Sequence, residues 1–145
     1  MAHAEGNITI GLPIKDVFDF ILDGTNSPHW RSSVLDVQLM QGKPLGVGAV
    51  FKQGLKGPGG RIDGDYKVVE CTANETIKFQ VIAGPARPTG TYKFGSDGGS
   101  TTVTFILDFQ PKGLMKLMDG MINKSMKEEV GMLSNLKTYL ESRNK

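Results

Sequence analysis

The chain has 145 residues, 39% of them hydrophobic and 22% charged, which is typical of one globular domain with its own core. Its 17 basic and 15 acidic residues leave a formal net charge of +2, too small for the strongly basic surface that nucleic-acid binding requires. A single cysteine and two histidines exclude an internal disulfide framework and argue against a metal site. We therefore predict one domain over residues 1–145, with no metal, no cofactor and no nucleic-acid partner.

The amino-terminal end shows no targeting signal. Residues 1–7 are polar, no apolar segment of the signal-peptide type follows them, and no apolar run approaches the roughly 20 residues that a membrane-spanning helix needs. The prediction is a cytoplasmic protein that is not stably inserted in a membrane.

The first elements in chain order are a strand and a short helix. Residues 1–6 are predicted to form a flexible tail, and residues 7–12 alternate apolar and polar side chains as a half-buried strand does. In residues 14–22 the apolar side chains recur at helical spacing, and Gly24 ends the helix.

The next stretch contains the only tryptophan of the chain. Ser27 is a suitable N-cap, and Pro28 a suitable first residue, for a second short helix. This helix is predicted to carry Trp30 and to end near Ser33. A large aromatic side chain just after a proline in a turn-rich segment suits a wall or a lid, so we predict that Trp30 borders an internal cavity.

Six extended segments follow, separated by turns rich in glycine, proline and asparagine. They cover residues 34–40, 47–55, 61–71, 75–83, 89–95 and 100–109. In the last of them Val103, Phe105 and Leu107 share one face, which we take as the inner face because it is apolar. The spacing of the segments predicts an antiparallel meander.

The period changes after the last strand. Residues 114–141 carry apolar side chains three or four apart, which predicts an amphipathic helix of about 27 residues, roughly 40 Å long. With the first strand this gives an α+β fold of seven antiparallel strands, two short helices and a long C-terminal helix. A twisted sheet and one helix do not close tightly everywhere, so the space between them is predicted to be a pocket.

The chain resembles the START-like, helix-grip superfamily, also called SRPBCC. The resemblance is carried by LPIKDVFDFILDGTNSPHW, by GVGAVFK and DYKVVE, by GGSTTVTFILDFQP, and by LSNLKTYLES in the final helix. It covers nearly the whole chain. The superfamily includes polyketide cyclases and dehydrases, birch-pollen-allergen-like proteins and lipid-transfer domains. The resemblance therefore implies a curved sheet wrapped around the C-terminal helix, with a ligand cavity between them.

Strand parity and helix spacing predict which side chains line that cavity. The candidates come from inward positions on the strands, from the apolar face of the helix, and from the turn around Trp30, which we call the tryptophan turn. The predicted ligand-binding residues are Trp30, Phe51, Gln53, Tyr66, Phe79, Tyr92, Phe94, Met118, Met121, Ile122, Ser125 and Glu129.

Several polar residues have two interpretations each. The hydroxyls of Tyr66 and Tyr92 either bind a ligand oxygen or reach the rim or an ordered water. Glu129 lies in the apolar stripe of the helix, where it is either an acid/base group or ligand anchor facing the pocket, or a rim residue beside a lysine or arginine. Asp63 and Asp65 alternate with basic residues and are predicted on the solvated face.

Three functions follow. The first is binding of a small hydrophobic or amphipathic ligand, such as a lipid or a polyketide-like aromatic molecule, by a monomer or homodimer. The second is a polyketide cyclase or dehydratase activity using cavity Tyr, Glu or His groups. His29 is the only histidine outside the amino-terminal tail, so no catalytic triad can be assembled and whether the protein is an enzyme stays open. The third is a regulatory role through a protein partner.

Overall fold

The computed structural model describes residues 2–43, 45–57, 59–84 and 86–143, with only the backbone at residues 114 and 115. The eight strands are β1 Ala2–Ile10, β2 Val34–Gln41, β3 Val50–Gly57, β4 Gly60–Asp63, β5 Tyr66–Thr72, β6 Thr76–Val81, β7 Thr89–Asp97 and β8 Ser100–Phe109. The helices are α1 Ile14–Leu22, a 3-10 helix Gly24–His29, a second 3-10 helix Gly113–Met118, α2 Asp119–Gly131 and α3 Leu133–Arg143.

All strand pairs are antiparallel, and seven strands form one continuous sheet in the order β1-β8-β7-β6-β5-β3-β2, with β4 paired to β3 beside this path. Buried side chains from the inner face of the sheet, from α1 and from the C-terminal helices make one hydrophobic core. The predicted α+β helix-grip architecture is thus confirmed. Among the described residues, no helix is long and apolar enough to cross a membrane.

The first strand begins earlier than predicted. β1 starts at Ala2, which lies opposite Phe109 of β8, so residues 2–6 are paired backbone instead of a flexible tail. The inward positions are Ala2, Ala4 and Gly6, and alanine and glycine give little hydrophobic signal. Gly6 faces Val130 of α2, since a Cβ at Gly6 would be in ordinary contact with Val130 at 3.6 Å.

The second short helix is a 3-10 helix that starts three residues before the predicted N-cap. Asp23 caps it, accepting hydrogen bonds from the Thr25 amide at 3.1 Å and the Thr25 hydroxyl at 2.6 Å. Its first residue, Gly24, lies against the sheet so closely that a Cβ there would be 1.9 Å from the Tyr66 hydroxyl oxygen. Ser27 is buried inside this helix, so it does not serve as the cap.

The segment predicted as one strand over residues 61–71 is broken at Gly64 and Asp65 into β4 and β5. The Gly64 amide donates to the Gln53 carbonyl at 2.8 Å, and the Asp65 carbonyl accepts from the Ile82 amide at 2.7 Å. β4 and β5 then pair with different stretches of β3. Asp63, the last residue of β4, lies opposite Gly54 of β3 and is solvent-exposed, as predicted.

The predicted long C-terminal helix is also subdivided. It begins as a 3-10 helix, continues as α2, and is interrupted at Met132 before α3. Its buried side chains are Met126, Val130, Leu133, Leu136 and Leu140, which keep the three- and four-residue spacing across the break. The amphipathic pattern therefore located the buried face, although it carried no signal for the interruption.

Candidate functional site

A cavity of about 180 Å³ lies between α2 and the inner face of the sheet. Its apolar lining is contributed by β3, β4, β6, β8, the loop before β7, and α2. These residues are Leu55, Ile62, Phe79, Val81, Ala86, Pro88, Phe105, Leu107, Phe109, Ile122 and Met126. The lining residues Asp63 and Ser125 are solvent-exposed, so the mouth of the cavity lies between β4 and α2.

One wall of this cavity is polar and is formed by Arg31, Gln53 and Glu129. The Arg31 guanidinium donates to Glu129 Oε2 from Nε at 3.2 Å and from Nη2 at 3.1 Å, and to Gln53 Oε1 from Nη1 at 3.2 Å. The Ser33 hydroxyl donates to the other Glu129 oxygen. The side chains of Arg31 and Glu129 are only 11% and 17% exposed, so this is a largely buried ion pair inside an otherwise apolar space.

The backbone around Arg31 holds the guanidinium in place. The Arg31 amide donates to the Ser27 carbonyl at 2.8 Å, and Asn135 of α3 donates to the Trp30 carbonyl at 3.2 Å. Gln53 is fixed from its other end, since its Nε2 donates to the Gly64 carbonyl at 3.1 Å. The strand break at Gly64 and the tryptophan turn therefore both serve to position the polar wall.

The charge state of this wall follows from two opposing effects. Burial of the Arg31 guanidinium disfavours its charged form, but the Glu129 carboxylate outweighs that effect and raises the pKa of Arg31. Arg31 therefore stays protonated at every physiological pH. Because charges interact strongly where water is excluded, Arg31 and Glu129 hold each other in place.

A second, much smaller void of about 20 Å³ lies on the other side of Arg31. Trp30, Tyr66 and Tyr92 border it, and its volume suits a single water molecule. Burial raises the pKa of Tyr66 to about 12, an increase that the Arg31 charge only partly offsets, and burial also raises the pKa of Tyr92. Both hydroxyls are therefore neutral donors, and they face this void instead of the larger cavity.

The predicted site residues fall into three groups. Those that line the 180 Å³ cavity are Gln53, Phe79, Ile122, Ser125 and Glu129. Those that border the small void are Trp30, Tyr66 and Tyr92, with Phe79 shared between the two spaces. Those that line neither are Phe51, Phe94, Met118 and Met121.

The members of the last group are placed elsewhere for different reasons. Phe51 is fully buried and stacks on Tyr66 at 5.1 Å between ring centroids, so another aromatic ring stands between it and the open space. Phe94 packs edge-on against Phe18 of α1 at 5.0 Å. Met118 and Met121 precede the part of α2 that covers the sheet, and their side chains are exposed.

Arg31 is not among the ligand-binding residues predicted from the sequence, although it lines the cavity. The sequence does not show that Arg31 is buried, because its partner Glu129 lies 98 residues away along the chain. His29 does not reach the cavity, since its ring stacks on Tyr139 of α3 at 4.8 Å. Glu129 lies beside an arginine, as the second interpretation expected, but it lines the cavity and is largely buried instead of lying at the rim.

Comparison with known proteins identifies the family of this chain. The profile of the family described as polyketide cyclase/dehydrase and lipid transport matches residues 1–141, so the chain belongs to that family. No curated protein matches the chain.

Solved structures resemble the whole fold. TTHA0849 from Thermus thermophilus superimposes with a TM-score of 0.83 at 16% identity, covering 99% of each chain. A START superfamily protein from Mycobacterium smegmatis gives a TM-score of 0.77 at 15% identity, covering 99% of this chain and 97% of that one. The Zhui aromatase/cyclase from a Streptomyces species gives a TM-score of 0.74 at 13% identity, covering 97% of this chain and 92% of that one. At these identities the similarity establishes the START-like fold alone.

Proposed function

We propose that the protein binds a small, mainly apolar molecule in the cavity between α2 and the sheet. The observation that carries this proposal is an apolar space of about 180 Å³ with one polar wall that is already formed. A dry cavity of ~150 Å³ lined by Leu, Ile and Phe is large enough to bind benzene. The space therefore suits a single ring or a short acyl group, with the rest of a longer molecule leaving through the mouth beside Ser125.

The polar wall favours an uncharged polar group on the ligand. Arg31 uses three of its five N–H groups on Glu129 and Gln53, which leaves donors for a ketone, ester or phenol oxygen. A carboxylate would meet an arginine that Glu129 already neutralises, with Asp63 at the mouth. Since like charges in a partly buried site repel, a neutral carbonyl or hydroxyl compound should bind better than a carboxylate of the same shape.

Catalysis of the cyclase or dehydratase type is the second candidate, and the family and the aromatase/cyclase relative favour it. It needs a proton-transferring group beside the ligand. Glu129 is the one titratable group of the inner polar wall that could serve, but Arg31 and Ser33 already occupy its oxygens. Binding without chemistry therefore has the stronger support. A regulatory role through a protein partner and the cytoplasmic location stay predictions.

The direct test is titration of the protein with acetophenone, a one-ring neutral ketone, followed by calorimetry and by native mass spectrometry. Saturable binding of one molecule is the expected result. Ser125→Trp should lower the affinity at least about tenfold, because the indole would fill the mouth, and it should leave stability within about 0.5 kcal/mol of wild type.

A matched control is Glu128→Trp, which places the same side chain on an exposed position of α2 that does not line the cavity. This variant should bind acetophenone as the wild type does. If the two tryptophan variants bind equally well, the ligand enters somewhere else and the proposed site is wrong.

A further inference from the structure

Among the side chains that the structure describes at the start of the C-terminal helical region, three apolar ones are exposed. Leu117 is 86% exposed, Met121 is 62% exposed and Met118 is 45% exposed. They lie within five residues of one another, where the 3-10 helix meets α2. Side chains of this kind normally pack into a core, so three exposed together mark a surface that takes a partner. We call Leu117, Met118 and Met121 the apolar patch.

Positive charge is concentrated around the apolar patch. Residues 110–127 contain four lysines and one aspartate, whereas the whole chain has 17 basic and 15 acidic residues, so the rest of the protein is slightly acidic. Lys112, Lys116 and Lys124 are all exposed. Lys124 follows Met121 by three residues within α2, which puts these two side chains on the same side of the helix. The one acidic residue within the segment is Asp119.

We propose that the apolar patch and its lysines dock the protein on the surface of an anionic lipid bilayer. Apolar side chains flanked by lysines are the combination that binds the boundary between acyl chains and negative headgroups. A second copy of the chain fits less well, because a two-fold interface would bring two positive patches together. Lysine is also depleted in the core of protein–protein interfaces.

The docking surface adjoins the cavity. The segment that carries it begins just after Phe109 at the end of β8 and continues into Ile122 and Ser125 of α2, and all three of these residues line the cavity. A protein docked through the patch would hold its cavity mouth near the bilayer. If the cavity binds an apolar molecule as proposed above, such a molecule could pass between membrane and cavity with little exposure to water.

The experiment is flotation of the full chain with two kinds of vesicle, one of phosphatidylcholine alone and one of phosphatidylcholine and phosphatidylglycerol in equal amounts. Wild type should bind the anionic vesicles and not the neutral ones, and binding should fall as salt is raised. The double variant Leu117→Ser with Met121→Ser should lower the partition coefficient at least about tenfold. Lys116→Gln and Lys124→Gln should lower it about fivefold each.

Val69→Ser is the control, because Val69 on β5 is an apolar residue about as exposed as Met118 and lies outside the apolar patch. This variant should bind as wild type does. All variants should keep the wild-type melting temperature, since the replaced side chains lie on the surface. Absence of binding to anionic vesicles, equal binding to both kinds, or wild-type binding by the serine variant would each overturn the proposal. So would light scattering that shows a dimer which Leu117→Ser dissociates. Because the assay contains no cavity ligand, its result is independent of acetophenone binding.

Discussion

Glu129→Gln is expected to lower the free energy of unfolding by about 3 kcal/mol and to move the ligand preference from acetophenone towards benzoate. The substitution keeps the shape of the side chain but leaves the buried Arg31 guanidinium without its counter-ion. A benzoate carboxylate can then replace the missing charge, and charge-assisted hydrogen bonds are the stronger kind. The affinity for benzoate should rise about tenfold or more, while acetophenone should lose affinity or stay unchanged. Calorimetry with the two ligands and urea unfolding measure these effects.

The double variant Arg31→Met with Glu129→Leu is the control for this result. Replacing both members of a buried ion pair by apolar side chains is often nearly neutral, whereas removing one member is costly. The double variant should therefore be more stable than Glu129→Gln and should not gain benzoate affinity. If Glu129→Gln retains both wild-type stability and wild-type preference, the ion pair does not determine the selectivity of the cavity.

Gly24→Ala is the second large expected effect, a loss of about 2–3 kcal/mol of stability from overpacking. A Cβ at this position would lie 1.9 Å from the Tyr66 hydroxyl oxygen and 3.2 Å from a Phe51 ring carbon. Tyr66 has little room to move, because Phe51 and Phe79 flank its ring at 5.1 Å and 5.2 Å. The 3-10 helix would be displaced from the sheet, and Arg31 would move with it. Denaturant unfolding of the variant measures the loss.

Tyr66→Phe is expected to rescue the stability that Gly24→Ala loses. It removes the oxygen that the new methyl group meets, and the next closest atoms lie at 3.1 Å and 3.2 Å. Tyr66→Phe combined with Gly24→Ala should therefore recover most of the lost stability. Tyr66→Phe alone should keep the affinity for acetophenone, because its hydroxyl borders the small void. A double variant no more stable than Gly24→Ala alone would show that the 3-10 helix is not packed on Tyr66 in this way.

The order of the elements and their buried faces could be predicted from the sequence, because both follow from local periodicity. The alternation of Val103, Phe105 and Leu107 gave the inner face of β8, and all three are buried. The same parity placed Gln53 and Phe79 correctly on the cavity side. Residues 2–6 escaped prediction because alanine and glycine at the inward positions carry almost no hydrophobic signal, although they pair along β8.

The polar wall depends on contacts between distant segments, which periodicity cannot show. Glu129 could be recognised as unusual, since a carboxylate in an apolar stripe requires a partner, but nothing local identified that partner as Arg31. The break at Gly64 also depends on a contact with another segment of the chain. Its amide and carbonyl are both bonded to Gln53, and no local pattern in the sequence predicts this contact.

The measurement that tests the central claim most directly is a methyl NMR titration with acetophenone, observing the methionine and isoleucine side chains. Met126 and Ile122 line the cavity, whereas Met118 and Met121 are exposed outside it and act as internal controls. Ligand binding between α2 and the sheet predicts saturable shifts of the Met126 and Ile122 methyl signals, with Met118 and Met121 nearly unchanged. Shifts confined to Met118 and Met121, or no saturable shift at all, would contradict a ligand site in this cavity.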